Sequence, residues 1–361
     1  MSNLLEVRGL RVRFKTPDGE VTAVNGVDFQ VMAGETLAIV GESGSGKSQL
    51  VLAMMGLLAE NGSASGSAKF KGTELMGMTQ RQLNSVRGKE IAMIFQDPMT
   101  SLNPFLSIEQ QMTEVAMHHQ KMSRRESRSH AVEMLRAVRI PDPEERIRQY
   151  PHEFSGGMRQ RVMIAMGLLC QPDLLIADEP STALDVTVQA QITRLLGELR
   201  VKSQMAIILI THDLAVVADI CDHILVMYAG QVVESGSVDD IFYSPQHPYT
   251  RGLLASVPRL DRPADTELHA IRGNPPNLLA LPEGCAFRDR CDYAQDECRQ
   301  TPPLWRDARN STRGRYSRCI LGLPGGEIVN TESTAGVAAE AASGAGSGTV
   351  PETTVGSGSA P

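Results

Sequence analysis

Residues 41–48, Gly-Glu-Ser-Gly-Ser-Gly-Lys-Ser, fit the spacing G-x-x-x-x-G-K-[ST], a run whose chemistry is phosphate binding. Gly41, Gly44 and Gly46 let the backbone curl until its N–H groups face phosphate oxygens, with Ser43 and Ser45 between them. Lys47 is placed to reach the β- and γ-phosphates, the Ser48 hydroxyl to ligate Mg²⁺, and Gln49 follows in the same turn. A second run, Leu174 to Glu179, ends four apolar residues with two carboxylates. Asp178 can hold Mg²⁺ through water, and Glu179 can polarise an attacking water. Such a pair is otherwise a turn or a helix cap, but the loop upstream favours the catalytic role. The third set is Cys285, Cys291, Cys298 and Cys319, spaced C-x5-C-x6-C-x20-C. This is not the paired C-x2-C of zinc ribbons, so an iron–sulfur cluster, zinc and unligated thiols all remain open.

These side chains need strand ends and helix starts to hold them. The run Thr36–Val40 reads as a short buried strand leading into the glycine loop, with a helix from Lys47 to about Leu58. Further on come strand 174–178, helix 186–202, strand 206–210 and another helix. This alternation favours a largely parallel sheet and an α/β fold. Residues 5–14 and 21–40 read as strands broken at Pro17-Asp18-Gly19. Between these parts, residues 100–165 are expected to form a mostly helical subdomain inserted in the core. The domain reading is therefore a core over 1–244, a small cysteine-rich extension over 245–324 and a Gly/Ser/Ala/Thr tail over 325–361. The tail is expected to be disordered.

Hydrophobic residues make up 42% of 361, enough for a full core. The net charge is −7, and Glu327, Glu332, Glu340 and Glu352 after Arg318 supply four of those charges. Without a basic footprint, nucleic acid is not an expected partner. No apolar run approaches the roughly 18–20 residues that span a bilayer, and the N-terminus lacks a secretory pattern. A cytosolic chain with peripheral membrane association is expected.

About twenty residues before the second strand lies Glu153-Phe-Ser-Gly-Gly-Met-Arg-Gln-Arg161. It resembles the LSGGQ signature of ATP-binding cassette proteins, and Ser155, Gly156 and Gly157 would open a helix N-terminus toward a γ-phosphate. The other cassette motifs follow in order. Gln96 in IFQDP resembles the Q-loop, which implies that it senses Mg²⁺ and the attacking water beside Ser48 and Asp178. Residues 181–185 (Ser-Thr-Ala-Leu-Asp, ending at Asp185) resemble the D-loop, and His212 in ITHD resembles the switch histidine that contacts the γ-phosphate. Phe14 is similar to the aromatic that stacks on adenine, or else is a core strand residue. The resemblance implies a P-loop nucleotide-binding domain with a RecA-like parallel core, an antiparallel β subdomain and a helical subdomain. It implies ATP and Mg²⁺ as ligands and Glu179 as the general base. It also implies dimerisation, because each ATP in this family lies between one chain's P-loop and its partner's signature.

Three stretches narrow the branch: 96–105 (QDPMTSLNPF), 150–192 and 246–260 (QHPYTRGLLASVPRL), with 271–291 beyond them. Together they resemble the oligopeptide/dipeptide importer ATPases over roughly residues 3–322. The resemblance implies two transmembrane permease subunits, a second cassette ATPase, an extracytoplasmic peptide-binding protein, and a place on the cytoplasmic face of the inner membrane. It also implies a [4Fe–4S] cluster on the four cysteines. Nickel or murein peptide import, or a soluble cassette ATPase acting on DNA or ribosomes, are the alternatives.

Overall fold

The computed structural model describes residues 3–97, 101–180, 185–256, 271–302, 304–306, 315–321 and 327–329. Two antiparallel strands open the chain, β1 (Asn3–Thr16) and β2 (Gly19–Met32), paired from Asn3↔Met32 to Thr16↔Gly19. Their apolar residues alternate inward on either side of a bulge between Val7 and Leu10, where Gly9 takes φ 56°, so Leu5, Val7, Leu10 and Val12 are all buried. With β4 (Gly62–Phe70) and β5 (Thr73–Glu74) they form a four-stranded sheet in the order β2-β1-β4-β5.

The second sheet holds the chemistry. Strands β3 (Thr36–Val40), β6 (Ile91–Ile94), β7 (Leu174–Asp178), β8 (Ala206–Ile210) and β9 (His223–Tyr228) run parallel in the order β6-β7-β8-β3-β9. Every residue of β3, β7 and β8 is buried, as near-continuous apolar runs require when helices cover both faces. Their bounds coincide with the apolar runs in the sequence. Helix α1 (Lys47–Met54) leaves the glycine loop and stops short of the expected Leu58. Gly56 adopts φ 60° there, the left-handed conformation that ends helices.

Helix α2 (Gln80–Val86) precedes β6, and the helical insert follows it. The insert comprises α3 (Ile108–Gln120), α4 (Arg124–Ala137), α5 (Pro143–Arg146) and α6 (Gly156–Leu168). Ser107 and Ser123 start α3 and α4 as reciprocal capping boxes with Gln110 and Glu126. Ile108, Met112, Leu135 and Val162 join Ile94, Leu175 and Ala177 of the sheet in one apolar cluster. The ends of β6 and β7 are therefore packed into the same core as the insert. Helices α7 (Val186–Ser203) and α8 (Leu214–Ile220) complete the parallel core.

Beyond β9 the sheet turns antiparallel through β10 (Gln231–Ser237), followed by α9 (Val238–Tyr243) and α10 (Pro248–Ala255). The extension is continuous with this part. Strand β12 (Tyr316–Arg318) pairs with β10, β11 (Leu304–Arg306) with β12, and β13 (Glu327–Val329) with β11. Tyr249, Phe287 and Cys291 share one buried cluster with Ala38, Val40, Val226 and Tyr228 of the parallel strands. Glu327–Val329, part of the tail expected to be disordered throughout, adds a short strand to the sheet edge. Two of its three residues are β-branched, the type that favours strands. The other residues from 325 onward lie outside the described ones.

Candidate active site

The parallel strands β3, β7 and β8 and the end of β6 bring six predicted residues to one sheet end. The loop after β3 turns through Gly41 (φ 151°), Gly44 (φ 78°) and Gly46 (φ 96°), backbone angles that suit glycine. A side chain at Gly41 or Gly46 would stand 2.2 Å from the Met227 or Ala23 carbonyl oxygen, whereas Gly44 meets nothing within 4 Å. The loop is thus pressed against the sheet on one side and open on the other. Ser45 is buried, while Ser43 is exposed and Gln49 is partly buried in α1.

Lys47 is buried, and its Nζ donates to the carbonyls of Gly41 (2.8 Å) and Glu42 (3.0 Å). Burial lowers its pKa, against the pull of Glu179, Asp178 and Glu42. The ammonium therefore gains from any anion that enters the loop. Ser48 Oγ donates to Asp178 Oδ1 at 3.0 Å. Burial raises the Asp178 pKa, with Ser48 opposing. Two hard oxygen donors side by side suit Mg²⁺, and a cation there would remove the desolvation strain on Asp178.

Glu179 follows at φ 46°, a left-handed backbone that costs a non-glycine residue energy and that clusters at functional sites. Its N–H donates to Ile210 O at 2.9 Å, which fixes it to the end of β8. Gln96 Nε2 donates to Glu179 Oε2 at 3.0 Å, and His212 Nδ1 lies 3.7 Å from the same oxygen. Glu179 is only 17% exposed and His212 65%. The carboxylate is thus sheltered, while the imidazole remains free to meet a ligand.

The other predicted residues sit elsewhere. Ser155 caps α6, its Oγ accepting from Met158 N at 3.4 Å, with Gly156 and Gly157 in the first turn. A Cβ on Gly157 would stand 2.8 Å from Val188 Cγ1, so the glycine admits close contact between α6 and α7. Asp185 caps α7 by accepting from Val188 N at 3.0 Å. Residues 181–184 of the expected D-loop lie outside the described ones. Phe14 is partly buried, packs against the β-subdomain core and faces Gly62, where a Cβ would lie 2.7 Å from its Cε1.

Cys285, Cys291, Cys298 and Cys319 line one small pocket with His247, Phe287 and others. Backbone N–H groups of Phe287, Tyr293 and Leu321 donate to the sulfurs of Cys285, Cys291 and Cys319, and Gln295 N donates to Cys298 Sγ at 3.5 Å. Burial pushes the Cys285 thiol up to about 11, helped by Cys298, Cys319 and Cys291. Four sulfurs around one pocket, each met by an amide donor, have the donor chemistry of a thiolate-held metal group. Among the described residues, no three His, Cys, Asp or Glu side chains stand at metal-ligand spacing.

Sequence reasoning missed the contacts that reach the loop from the extension. Arg290 donates to both Glu42 carboxylate oxygens, at 2.6 and 2.9 Å, and Glu42 N donates to Tyr249 Oη at 2.8 Å. The partners are more than two hundred positions apart, and no local signal marks them.

Comparison with known proteins gives consistent findings. The family described as "ABC transporter" matches residues 24–182, and "Oligopeptide/dipeptide transporter, C-terminal region" matches 233–298. The oligopeptide transport ATP-binding protein OppD of Escherichia coli (strain K12) is 58% identical over 317 residues, covering 88% of this chain and 93% of that protein. The dipeptide transport ATP-binding protein DppD of Bacillus subtilis (strain 168) is 51% identical over 305 residues, covering 84% and 91%. Among solved structures, the dimeric bacterial ABC transporter cassette MJ0796 superposes with a TM-score of 0.59 at 25% identity, over 65% of this chain and 99% of that one.

Proposed function

This chain belongs to the ATP-binding subunits of the oligopeptide/dipeptide ABC transporters, and from that premise we propose how its residues carry the work. It is an ATPase, the motor subunit of a bacterial importer that couples ATP binding and hydrolysis to uptake of oligopeptides or dipeptides through permease subunits. The observation that carries the residue roles is the convergence of Ser48 on Asp178 and of Gln96 and His212 on Glu179.

ATP enters on the open side of the glycine loop. Lys47 exchanges two backbone carbonyls for β- and γ-phosphate oxygens, and Ser48 and Asp178 hold Mg²⁺. Glu179 takes a proton from the attacking water while the new oxygen–phosphorus bond forms. The bond to the bridging oxygen breaks, and ADP and phosphate leave. Gln96 orients Glu179, and His212 meets the γ-phosphate from the exposed side. Ser155 to Gly157 serve the partner cassette's ATP, and Asp185 lies at the same interface. Phe14 stacks on the base.

The partner is a second, unlike cassette. Two permeases rest on the helical insert, whose packing is continuous with the strand that leads to Gln96, and an extracytoplasmic binding protein delivers the peptide. No helix among the described residues is long and apolar enough to cross a membrane, and in this reading the permeases hold the chain peripherally at the cytoplasmic face. Cys285, Cys291, Cys298 and Cys319 would hold a [4Fe–4S] cluster as thiolates, and such a cluster would tie the segments of the extension together.

A gentle-detergent pull-down of tagged Glu179→Gln protein with ATP, from its native membranes, tests the assembly. Two multi-span permeases, a second cassette and a peptide-binding protein are expected. A nickel- or murein-peptide-binding protein would move the cargo, and ribosomal or DNA-repair proteins would overturn transport.

A further inference from the structure

We infer that the cysteine-lined extension sets the affinity of the nucleotide site, with Arg290 as the positioning residue that acts through Glu42. Glu42 is the second residue of the phosphate loop, and each of its polar groups is held. Its carboxylate takes a two-pronged bond from Arg290, its N–H donates to Tyr249 Oη, and its carbonyl accepts from Lys47. Two of these three anchors belong to the extension.

Arg290 has little freedom of its own. It is buried, Nε donates to Arg272 O at 2.9 Å, and Nη1 also donates to Tyr228 Oη at 3.2 Å. The guanidinium lies within 6 Å of the Tyr228 and Phe287 rings, at 5.8 and 5.9 Å. It ends the 3-10 turn Arg288–Arg290, tied by Arg290 N to Phe287 O and Cys291 N to Arg288 O. Phe287, Arg288 and Cys291 also line the cysteine pocket. The backbone that presents Arg290 is therefore a wall of that pocket, and a change in what the pocket holds displaces the arginine.

Electrostatics gives the coupling its sign. A nucleotide triphosphate is strongly anionic, and Glu42 places a carboxylate on the loop that must receive it. Arg290 neutralises that carboxylate and fixes the loop before ligand arrives, so less ordering is needed on binding. Without Arg290, a part-buried negative charge is left uncompensated on the phosphate loop and the loop loses an anchor. Both effects weaken binding.

The inference rests on residues 41–48 binding ATP, and the test separates the two. Full-length protein is compared with Arg290→Ala, Glu42→Gln and the double variant, reading the dissociation constant for ATP together with Tm. Arg290→Ala should weaken ATP binding by about 5- to 20-fold, the usual scale of coupling between sites. In the Glu42→Gln background it should change affinity less than about twofold while still lowering Tm, since only the route through Glu42 is gone. Cys298→Ser, across the pocket lining from the turn that carries Arg290, should show the same dependence on Glu42. Arg290→Lys, which keeps charge but loses the fork, should fall between wild type and alanine, and serves if the alanine variant does not fold. Equal losses of affinity in both backgrounds, or unchanged affinity in Arg290→Ala, would overturn the coupling. A wild-type protein that fails to bind ATP would overturn the nucleotide reading instead.

Discussion

Glu179 illustrates how much one residue can be asked to do by its neighbours. Its left-handed backbone is fixed across to Ile210, and its carboxylate meets Gln96 and His212. Glutamine keeps the size and hydrogen bonding but cannot accept the water's proton. Glu179→Gln should therefore lower hydrolysis about 10²- to 10⁴-fold, the share usual for a general base, with ATP affinity unchanged or higher. A steady-state ATPase assay beside a binding titration decides it, and normal turnover would remove Glu179 as the base. Two buried histidines make a separate prediction about pH. Burial holds His247 near a pKa of about 3 and His223 near about 4, against an ordinary value of 6.5. Both are neutral in either state above 6.5. Below it the unfolded chain takes up protons that the folded chain refuses, so stability is lost as pH falls from 6.5 toward 4. The slope is about 1.4 kcal/mol per pH unit for each histidine. Denaturant midpoints between pH 7 and 5 should fall accordingly, and His247→Gln should flatten that fall.

Helix starts matter at the next scale, because α6 and α7 meet where Gly157 touches Val188. A methyl group at Gly157 would collide with that valine and push the two N-termini apart, taking Ser155 and Asp185 with them. The phosphate loop lies on other elements. Gly157→Ala should thus leave ATP binding by the chain within about twofold, while hydrolysis in the assembled importer falls by roughly tenfold or more. Equal loss of binding and hydrolysis would show instead that the whole fold had suffered. The same elements show what could be read from sequence alone. Strands at 36–40, 174–178 and 206–210 are fully buried apolar runs, so pattern and structure coincide. Lys47, Ser48, Asp178, Gln96, Glu179 and His212 were legible because each sits in a local motif at the end of such a run or beside one. The Glu42–Arg290 and Glu42–Tyr249 contacts were not, since only the completed fold brings those positions together. The cysteine spacing was irregular for a related reason. Cys285 and Cys291 flank one 3-10 turn, Cys298 lies in another, and Cys319 follows an inner strand of the sheet, so no two compact knuckles supply the sulfurs.

Across the whole molecule, the extension and the cassette share one core. Strand β12 completes hydrogen bonds of β10, and Tyr249 and Phe287 pack on Tyr228 with ring centroids 4.6 and 5.3 Å away. Glu234, fully buried, accepts the backbone N–H groups of Gln246 and His247. Burial raises its pKa, and those hydrogen bonds oppose the rise. Cutting the chain after Ser244 removes both donors and bares the aromatic cluster. Loss of a buried aromatic alone costs about 3–5 kcal/mol, and here two rings go together with the partners of a buried carboxylate. A domain has only about 5–15 kcal/mol to lose. The 1–244 fragment should accordingly be insoluble or unfolded at 37 °C even with ATP. Cutting after Asn330 removes only Gly-, Ser-, Ala- and Thr-rich sequence, and should leave Tm and ATP affinity unchanged. Thermal unfolding of the two fragments with and without nucleotide separates the possibilities. A 1–244 fragment that melts with the full chain would mean that the cassette stands without its extension, and Arg290 would then have no fold-wide reason to reach the phosphate loop.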